Sequence, residues 1–382
     1  MIYLDHNATT PLLPEVAEHL ARAFRGAVET PGNPSSVHES GRRARARLDA
    51  ARERASELLG CGVSEICFTG SGSEADALAL KGGWAARPDR RRTKVVISSI
   101  EHPAILLAAD QLRAQGAEIV RVAPGRDGRI EAERFVEALD PDTALASLMW
   151  ANNETGVLQP VREVASACRE RGIVFHTDAV QAAGKIPVTF REVDADLLSL
   201  SAHKFGGPAG VGLLAVRRGV ALEAVVPGHQ ERGRRGGTHN VPYAEALVLA
   251  LDSAVAALAS SVPALAALRD RLERELIAAL PGVTVNGGAA PRLPNTSNLR
   301  FSGADGEALL IGLDLAGICV SSGAACASGS ITPSHVLTAM GLTPIEAHQS
   351  LRLSLGRKTT ASDVDAVVSA LRDQVARARA AA

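Results

Sequence analysis

The feature that most constrains the fold of this chain is a repeated alternation of short apolar runs with helical stretches. Six runs have the length of buried strands, and they occupy residues 94–98, 117–122, 144–149, 172–176, 196–201 and 212–216. Between them, stretches such as 130–139 and 161–171 carry apolar residues at helical spacing. This alternation is typical of a mainly parallel mixed sheet covered by helices, so the sequence predicts an α/β fold.

The last third of the chain differs in composition from the rest. An alanine-rich stretch covers residues 244–280, and shorter strand-like elements follow at 298–302, 317–321 and 351–355. With 382 residues and 46% hydrophobic content, the chain can bury more than one core. We therefore expect a large domain of residues 15–259 and a smaller α+β domain made of residues 1–14 and 260–382.

Charge and cysteine content limit the classes of partner. A formal net charge of −1 gives no general attraction to nucleic acid or to anionic membranes. The N-terminus lacks the basic and apolar regions of a signal peptide, and the apolar stretch 253–268 is too short to span a membrane. None of the five cysteines forms a CxxC pair. We expect a cytoplasmic protein that binds small molecules or other proteins, with no direct nucleic-acid or membrane partner.

Polar residues stand at the ends of two neighbouring predicted strands. Lys204 ends the run 195–203 and opens a glycine-rich turn, while Asp178 and Gln181 follow the strand at 172–176. The carboxyl ends of strands are where an α/β sheet binds its ligands. Taken alone, Lys204 could be one solvated loop lysine among many. Beside Asp178 it predicts pyridoxal phosphate, which needs an amine for its aldehyde and a carboxylate for its pyridine nitrogen.

A small-residue segment, Thr69-Gly70-Ser71-Gly72-Ser73-Glu74-Ala75-Asp76, precedes a helical run. Its backbone amides and the following helix N-terminus favour an anion such as phosphate. An ordinary loop or helix cap remains the alternative. The nucleotide-binding spacings GxGxxG and GxxxxGK[ST] do not occur here, so nucleotide binding is not favoured.

Three further side chains are candidates for chemistry. His102 follows the predicted strand 94–98, where an imidazole can stack on a ring or transfer a proton. Cys326 lies among glycine, alanine and serine, a setting that suits an accessible thiol, whereas Cys319 in an apolar stretch is predicted to be a buried packing residue. Arg352 alternates with leucines in 351–355, so it is directed away from the leucine face and could bind a carboxylate bidentately.

An ordered series of motifs carries a family resemblance. The motifs are Tyr3-Leu4-Asp5-His6-Asn7-Ala8-Thr9-Thr10-Pro11, Gly32-Asn33-Pro34-Ser35-Ser36, Glu101-His102, Asn152-Asn153-Glu154, Asp178-Ala179-Val180-Gln181 and Ser201-Ala202-His203-Lys204. From Tyr3 to about Thr360 the chain closely resembles cysteine desulfurases of the NifS/IscS type. These belong to the class V aminotransferase group of fold-type I pyridoxal-phosphate enzymes.

The resemblance implies a role for each matched residue. Lys204 would bind the cofactor aldehyde, Asp178 its pyridine nitrogen and Gln181 its ring hydroxyl, while His102 would stack on the ring and shuttle protons. Asn153 would lie near cofactor and substrate. The implied phosphate-binding residues are Gly72, Ser73, Ser201 and His203, with Thr238 from the second subunit of a homodimer. Gly70 and Ala77 depart from the serine and asparagine that are frequent at these positions in the family.

The implied activity is removal of sulfur from L-cysteine, which gives L-alanine and a persulfide on Cys326. A sulfur acceptor such as an iron–sulfur scaffold protein would then receive the sulfur. Two alternatives remain open. One is a selenocysteine lyase or other class V aminotransferase-like enzyme, which would not depend on Cys326. The other is a non-catalytic subunit of a sulfur-assembly system.

Overall fold

The structure is a computed structural model that describes residues 1–322 and 333–381. The strands in chain order are β1 (Ile2–Tyr3), β2 (Ile66–Thr69), β3 (Lys94–Ser98), β4 (Glu118–Val122), β5 (Thr143–Ser147), β6 (Val174–Asp178), β7 (Leu197–Ser201), β8 (Gly212–Val216), β9 (Val283–Val285), β10 (Thr296–Phe301), β11 (Ile318–Cys319) and β12 (Ser350–Ser354). The helices are α1 (Pro14–Glu29), α2 (Glu39–Leu59), α3 (Gly72–Ala77), α4 (Gly83–Ala86), α5 (Pro103–Arg113), α6 (Ala132–Glu137), α7 (Val161–Glu170), α8 (Phe190–Val193), α9 (Val241–Ala279), α10 (Gly306–Leu315), α11 (His335–Ala339), α12 (Pro344–His348) and α13 (Ala361–Ala381).

The central sheet has the strand order β2-β8-β7-β6-β5-β3-β4. Neighbouring strands from β7 to β4 are parallel, whereas β8 runs antiparallel to both β7 and β2. The predicted α/β fold with a mainly parallel mixed sheet is therefore confirmed. All six predicted strands are present, with ends shifted by up to two residues. β2 was not predicted, because a four-residue apolar run is too short to identify as a strand.

Helices cover both faces of this sheet, as the burial of β3 shows. Val96 joins a core cluster with residues of α1, α2, α7 and α9, while Val95 and Ile97 join a separate cluster with residues of α5. Successive side chains of a strand point to opposite faces, so burial on both faces requires the continuous apolar runs seen in the sequence. The ends of the parallel strands are consequently the part of the sheet that remains open to a ligand.

A third core cluster packs the C-terminal part of the chain onto the N-terminus. It joins Leu4 to residues between 265 and 375, around an antiparallel sheet of order β12-β10-β9. β1 pairs with β11 in parallel. The division into domains near residue 260 stays a prediction, and α9 passes through that point as one helix with Pro263 in its interior.

The prediction for residues 253–268 was wrong about length. These residues lie inside α9, which has 39 residues and is long and apolar enough to cross a membrane. One side of α9 packs against α1, α2 and α13, as in the core helix of a globular domain. The expected absence of a membrane partner stays a prediction.

Candidate active site

A cavity of about 540 Å³ opens beside the carboxyl ends of β6 and β7. Its walls include ten residues predicted from the sequence, and these are Gly72, Ser73, His102, Asn153, Asp178, Gln181, Ser201, His203, Lys204 and Arg352. Thr238 lines a different cavity, and Cys326 lies outside the described residues. The structure thus brings together residues that are up to 280 positions apart, while their individual roles stay predictions.

Lys204 lies in a 3₁₀ turn directly after β7, facing the N-terminal segment. Its Nζ donates to the backbone oxygens of Asn7, at 2.8 Å, and Ala8, at 2.7 Å. The backbone N–H of Thr10 donates to the His203 oxygen at 2.8 Å, and the Thr10 hydroxyl donates to the Lys204 oxygen. The motif at residues 3–11 therefore builds the wall against which the lysine rests, a function that sequence reasoning did not assign to it.

Asp178 is the last residue of β6, although the sequence placed it just beyond the strand. The buried carboxylate accepts a hydrogen bond from the Val180 backbone N–H at 2.8 Å. Burial raises the pKa of Asp178 to about 6, against the lowering effects of the Val180 N–H and the Lys204 charge. A buried carboxylate in this state gains from any cation placed opposite it, and a protonated pyridine nitrogen is such a partner.

Asp76 is a second buried carboxyl group in the same cavity, and sequence reasoning missed it. Its Oδ1 lies 3.6 Å from His176 Nε2 and has no hydrogen-bond partner among the described residues. Burial, and then the charge of Asp178, raise the pKa of Asp76 well above its usual value. We infer that Asp76 is protonated and that Asp178 carries the single negative charge of the pair. The sequence signal was only a carboxylate inside a run of small and apolar residues.

His102 is the N-cap residue of α5. Its Nδ1 accepts a hydrogen bond from the Ala104 backbone N–H at 3.1 Å. Burial, followed by the charges of Lys204 and His335, lowers the pKa of His102 to about 4. The imidazole is therefore neutral near pH 7, and because Nδ1 is an acceptor, its proton resides on Nε2.

The predicted phosphate segment begins a continuous helical stretch from Gly72 to Ala86, with a π-helical turn between α3 and α4. Ser71 caps it by accepting from the Glu74 N–H at 3.0 Å. A Cβ atom on Gly72 would lie 2.9 Å from Ser201 Cβ and 3.0 Å from a Val180 methyl group. Only glycine fits this close approach, and the first amides of the helix lack partners within it. The segment thus has the form of an anion cradle.

Arg352 lies on the face of β12 opposite the leucines, as predicted, but that face is also buried. Its Nη2 binds Asp5 Oδ1 at 2.7 Å and its Nη1 donates to the Asn153 oxygen at 3.1 Å. Its Nε has no partner among the described residues. Asp5, which sequence reasoning did not single out, therefore takes one of the five N–H groups of the guanidinium, and the Asn153 oxygen takes another.

Thr238 lines a cavity of about 230 Å³ together with Gly70, Glu231, Arg235 and His239. Arg235 binds Glu74 of α3 at 2.8 Å, so the Thr238 segment is attached to the back of the predicted phosphate cradle. Within one chain, Thr238 does not line the cavity that contains Lys204.

The described cysteines lie away from the Lys204 cavity. Burial raises the pKa of Cys61, Cys67 and Cys168 to about 12, which keeps these thiols protonated and poorly nucleophilic. Cys319 on β11 is half-buried, so its predicted burial was only partly correct: its neighbours Ile318 and Val320 occupy the core.

The described residues on both sides of the segment that contains Cys326 either line the Lys204 cavity or contact a residue that does. On one side, the backbone of Ser321 pairs with that of Arg352 at 3.1 and 2.7 Å. On the other side, Ser334 Oγ donates to Glu154 Oε2 at 2.5 Å, and Ser334 and His335 line the cavity. The chain therefore leaves and re-enters the described structure beside the predicted site.

Comparison with known proteins gives the same class as the site. Residues 2–367 match the class-V aminotransferase family, so the chain belongs to that family. A cysteine desulfurase from Cereibacter sphaeroides is 46% identical over 97% of this chain and 94% of its own length. Cysteine desulfurase NifS from Azotobacter vinelandii is 40% identical over 99% and 93%. A solved NifS-like protein superimposes with a TM-score of 0.90 at 34% identity, covering 98% of this chain and 99% of its own. Within the class-V family, the chain belongs to the cysteine desulfurases, and the predicted resemblance is confirmed.

Proposed function

We propose that this protein is a pyridoxal-phosphate-dependent cysteine desulfurase that removes sulfur from L-cysteine, produces L-alanine and leaves a persulfide on Cys326. The observation that carries the proposal is that Lys204, Asp178 and Arg352 line one cavity. The residues after the Cys326 segment line the same cavity, and Ser321 before it pairs with Arg352. The relatives named above share this activity by name.

The described residues fit both the phosphate group and the pyridine ring of pyridoxal phosphate. The cradle at Gly72 and Ser73, with Ser201 and His203 beside it, would hold the phosphate. At the other end, the anionic Asp178 would hold the pyridine nitrogen. Lys204 would anchor the aldehyde carbon through Nζ. When bound, the cofactor supplies an electron sink for negative charge on the substrate α-carbon.

The side chains of this protein divide the remaining tasks. Arg352 would orient the substrate carboxylate through its guanidinium, because Asp5 and Asn153 each accept from one of its five N–H groups. Lys204 Nζ would take and return the α-proton, and His102 would exchange a proton through Nε2. Cys326 Sγ, as the thiolate, would accept the substrate sulfur atom.

The proposed assembly is a homodimer in the cytoplasm that passes sulfur to an acceptor protein such as an iron–sulfur scaffold. The position of Thr238 supports a dimer, because its segment is fixed outside the cavity of its own chain. A two-fold arrangement would let this surface meet the cavity of a second copy. Sedimentation of the holoenzyme tests this: a dimer is expected, and a fully active monomer would contradict it.

The activity is tested by incubating the holoenzyme with L-cysteine and a thiol reductant while alanine and sulfide are measured together. We expect equal amounts of the two products. Pyruvate in place of alanine would indicate a different elimination chemistry, and transamination of the substrate would indicate an aminotransferase. Parallel incubation with L-selenocysteine separates a desulfurase from a selenocysteine lyase, since only the latter would leave L-cysteine unchanged.

A further inference from the structure

Lys185 is a buried lysine to which the proposed reaction gives no role. Only 8% of it is exposed, and its Nζ donates to Gln181 Oε1 at 2.5 Å and to Asn7 Oδ1 at 3.0 Å. Burial, and then the charges of Lys204 and Arg352, lower the pKa of Lys185 well below its usual value. Lysine is rarely buried without a specific partner, because its charged form loses hydration.

Asn7 makes hydrogen bonds to Lys185 and to several residues around it. Its Oδ1 also accepts from Asn295 at 3.2 Å, and its Nδ2 donates to Thr296 Oγ1 at 2.9 Å. Its backbone oxygen accepts from Gln181 Nε2 at 3.0 Å and from Lys204 Nζ at 2.8 Å. The side chain and the carbonyl of one residue thus hold both Lys185 and Gln181.

These contacts determine which way the Gln181 amide points. In the observed orientation, Oε1 faces an amine donor and Nε2 faces a carbonyl acceptor. The flipped orientation would bring two carbonyl oxygens together at Asn7 and direct an N–H group at the Lys185 amine. Gln181 borders the cavity, and Nε2 has a second hydrogen beyond the one given to Asn7. The cavity therefore faces a hydrogen-bond donor.

We propose that Lys185 and Asn7 are positioning residues that hold Gln181 as a hydrogen-bond donor to the ring oxygen of pyridoxal phosphate. The proposal rests on the proposed function and extends it to residues that do not touch the substrate. A hydrogen-bond donor at this oxygen stabilises the anionic form of the oxygen. The oxygen then attracts less strongly the proton on the nearby nitrogen that joins Lys204 to the cofactor. The holoenzyme should then lose that proton, and change its visible absorbance, at a lower pH than an enzyme without the donor.

The test is a double-mutant cycle on the pH midpoint of the visible absorbance of the resting holoenzyme. Lys185→Met removes Nζ but keeps the aliphatic stem, and Gln181→Leu removes the amide. Each single change should raise the midpoint by about one pH unit, the value of one charge-assisted hydrogen bond. The double variant should match Gln181→Leu, because Lys185 acts through Gln181. Additive shifts, or an unshifted Lys185→Met, would overturn the proposal.

The cycle leaves the other titratable and charged groups that line the cavity in place, and these are Asp76, His102, Glu154, Asp178, His203, Lys204, His335 and Arg352. Lys94→Met is the matched control, because this half-buried lysine at the start of β3 pairs with Asp140 away from the cavity, and its midpoint should not move. If Lys185→Met does not fold, Lys185→Gln enters the same cycle with an expected shift between zero and that of Gln181→Leu. A larger shift would contradict the proposal.

The possible results distinguish a failure of this proposal from a failure of the proposed function. A wild-type protein that shows no visible cofactor band after incubation with pyridoxal phosphate would overturn the proposed function itself. A wild-type band with a pH-dependent midpoint, combined with an additive cycle, would overturn only the role of Lys185 in positioning Gln181.

Discussion

At the scale of single residues, the site places opposite demands on neighbouring carboxyl groups. For the proposed function, Asp178 would have to be anionic to hold a pyridine nitrogen, yet Asp76 shares its buried surroundings. When two carboxyl groups share low-dielectric surroundings, ionising both costs free energy, so the proton stays on Asp76. The negative charge is then on Asp178, which ends β6 and lines the cavity.

Lys204 should be the attachment point of the cofactor, because it is the lysine that turns from β7 into the cavity. Borohydride reduction of the holoenzyme, followed by peptide mass mapping, should find the pyridoxyl group on Lys204. Lys204→Ala should still bind the cofactor through the phosphate cradle but should abolish turnover. An adduct on Lys185 instead would show that the assignment of the two lysines is reversed.

Glu101 should make the folded protein less stable as the pH rises. Burial raises the pKa of Glu101 to about 8, against hydrogen bonds from Ser98 and Met149, while the unfolded value is 4.5. The folded state therefore binds more protons between these two values, and the free energy of unfolding falls as pH increases through them. Glu101→Gln removes this dependence. We expect the variant to gain at least about 1 kcal/mol relative to wild type between pH 5 and pH 8, measured by urea unfolding; an unchanged difference would contradict a buried, titrating Glu101.

Sequence reasoning found the residues whose position along a strand reveals their chemistry. Lys204, Asp178 and His102 each follow an apolar run, so their place at a sheet edge could be read locally. Asn7 and Lys185 could not be assigned in this way, because their contacts join parts of the chain that are 178 positions apart. Their role depends on which donor meets which acceptor, and that is fixed only after folding.

At the scale of secondary-structure elements, a buried ion pair supports the segment that carries Thr238. Arg52 of α2 binds Glu231 through two hydrogen bonds of 2.7 and 2.8 Å, and Glu231 also accepts from the Phe68 N–H of β2. Glu231 and Arg232 adopt left-handed backbone conformations, with φ of 47° and 58°. Such conformations persist where surrounding contacts enforce them. The ion pair thus ties a strained turn to the edge of the central sheet.

Replacing one partner of this ion pair should therefore lower the free energy of unfolding. Arg52→Met would leave the buried Glu231 carboxylate with the Phe68 N–H and His239 Nε2 as its remaining partners, so we expect a loss of about 3 kcal/mol in the free energy of unfolding. Cofactor binding should weaken as well, because the Thr238 segment loses its support. Arg54→Met on the exposed side of the same helix is the control and should leave stability unchanged within error. A loss no greater than that of the control would show that the turn does not depend on the pair.

The sequence predicted some secondary-structure elements well and missed others. Strands buried on both faces were predicted with small errors at their ends, since continuous apolar runs are their direct signal. The continuous α9 was not foreseen, because the change in composition suggested a boundary near residue 260, where the helix in fact continues.

At the scale of the whole molecule, the cavity is formed by distant parts of the chain. The N-terminal segment, the ends of β6 and β7, the start of α3 and the strand β12 all contribute side chains to it. The third core cluster joins Leu4 to residues of α13, so the N-terminus is held between the central sheet and the C-terminal part of the chain. This arrangement places the described residues on both sides of the Cys326 segment next to residues that line the cavity.

The most direct test of the account is whether Cys326, and no other cysteine, receives sulfur from L-cysteine. Wild type, Cys326→Ser and Cys319→Ser are each loaded with pyridoxal phosphate and given L-cysteine, and protein-bound persulfide is mapped by mass spectrometry while alanine is measured. We predict persulfide on Cys326 and alanine in wild type and Cys319→Ser, and neither product in Cys326→Ser, which should still bind the cofactor. Alanine formation at the wild-type rate by Cys326→Ser would contradict the account.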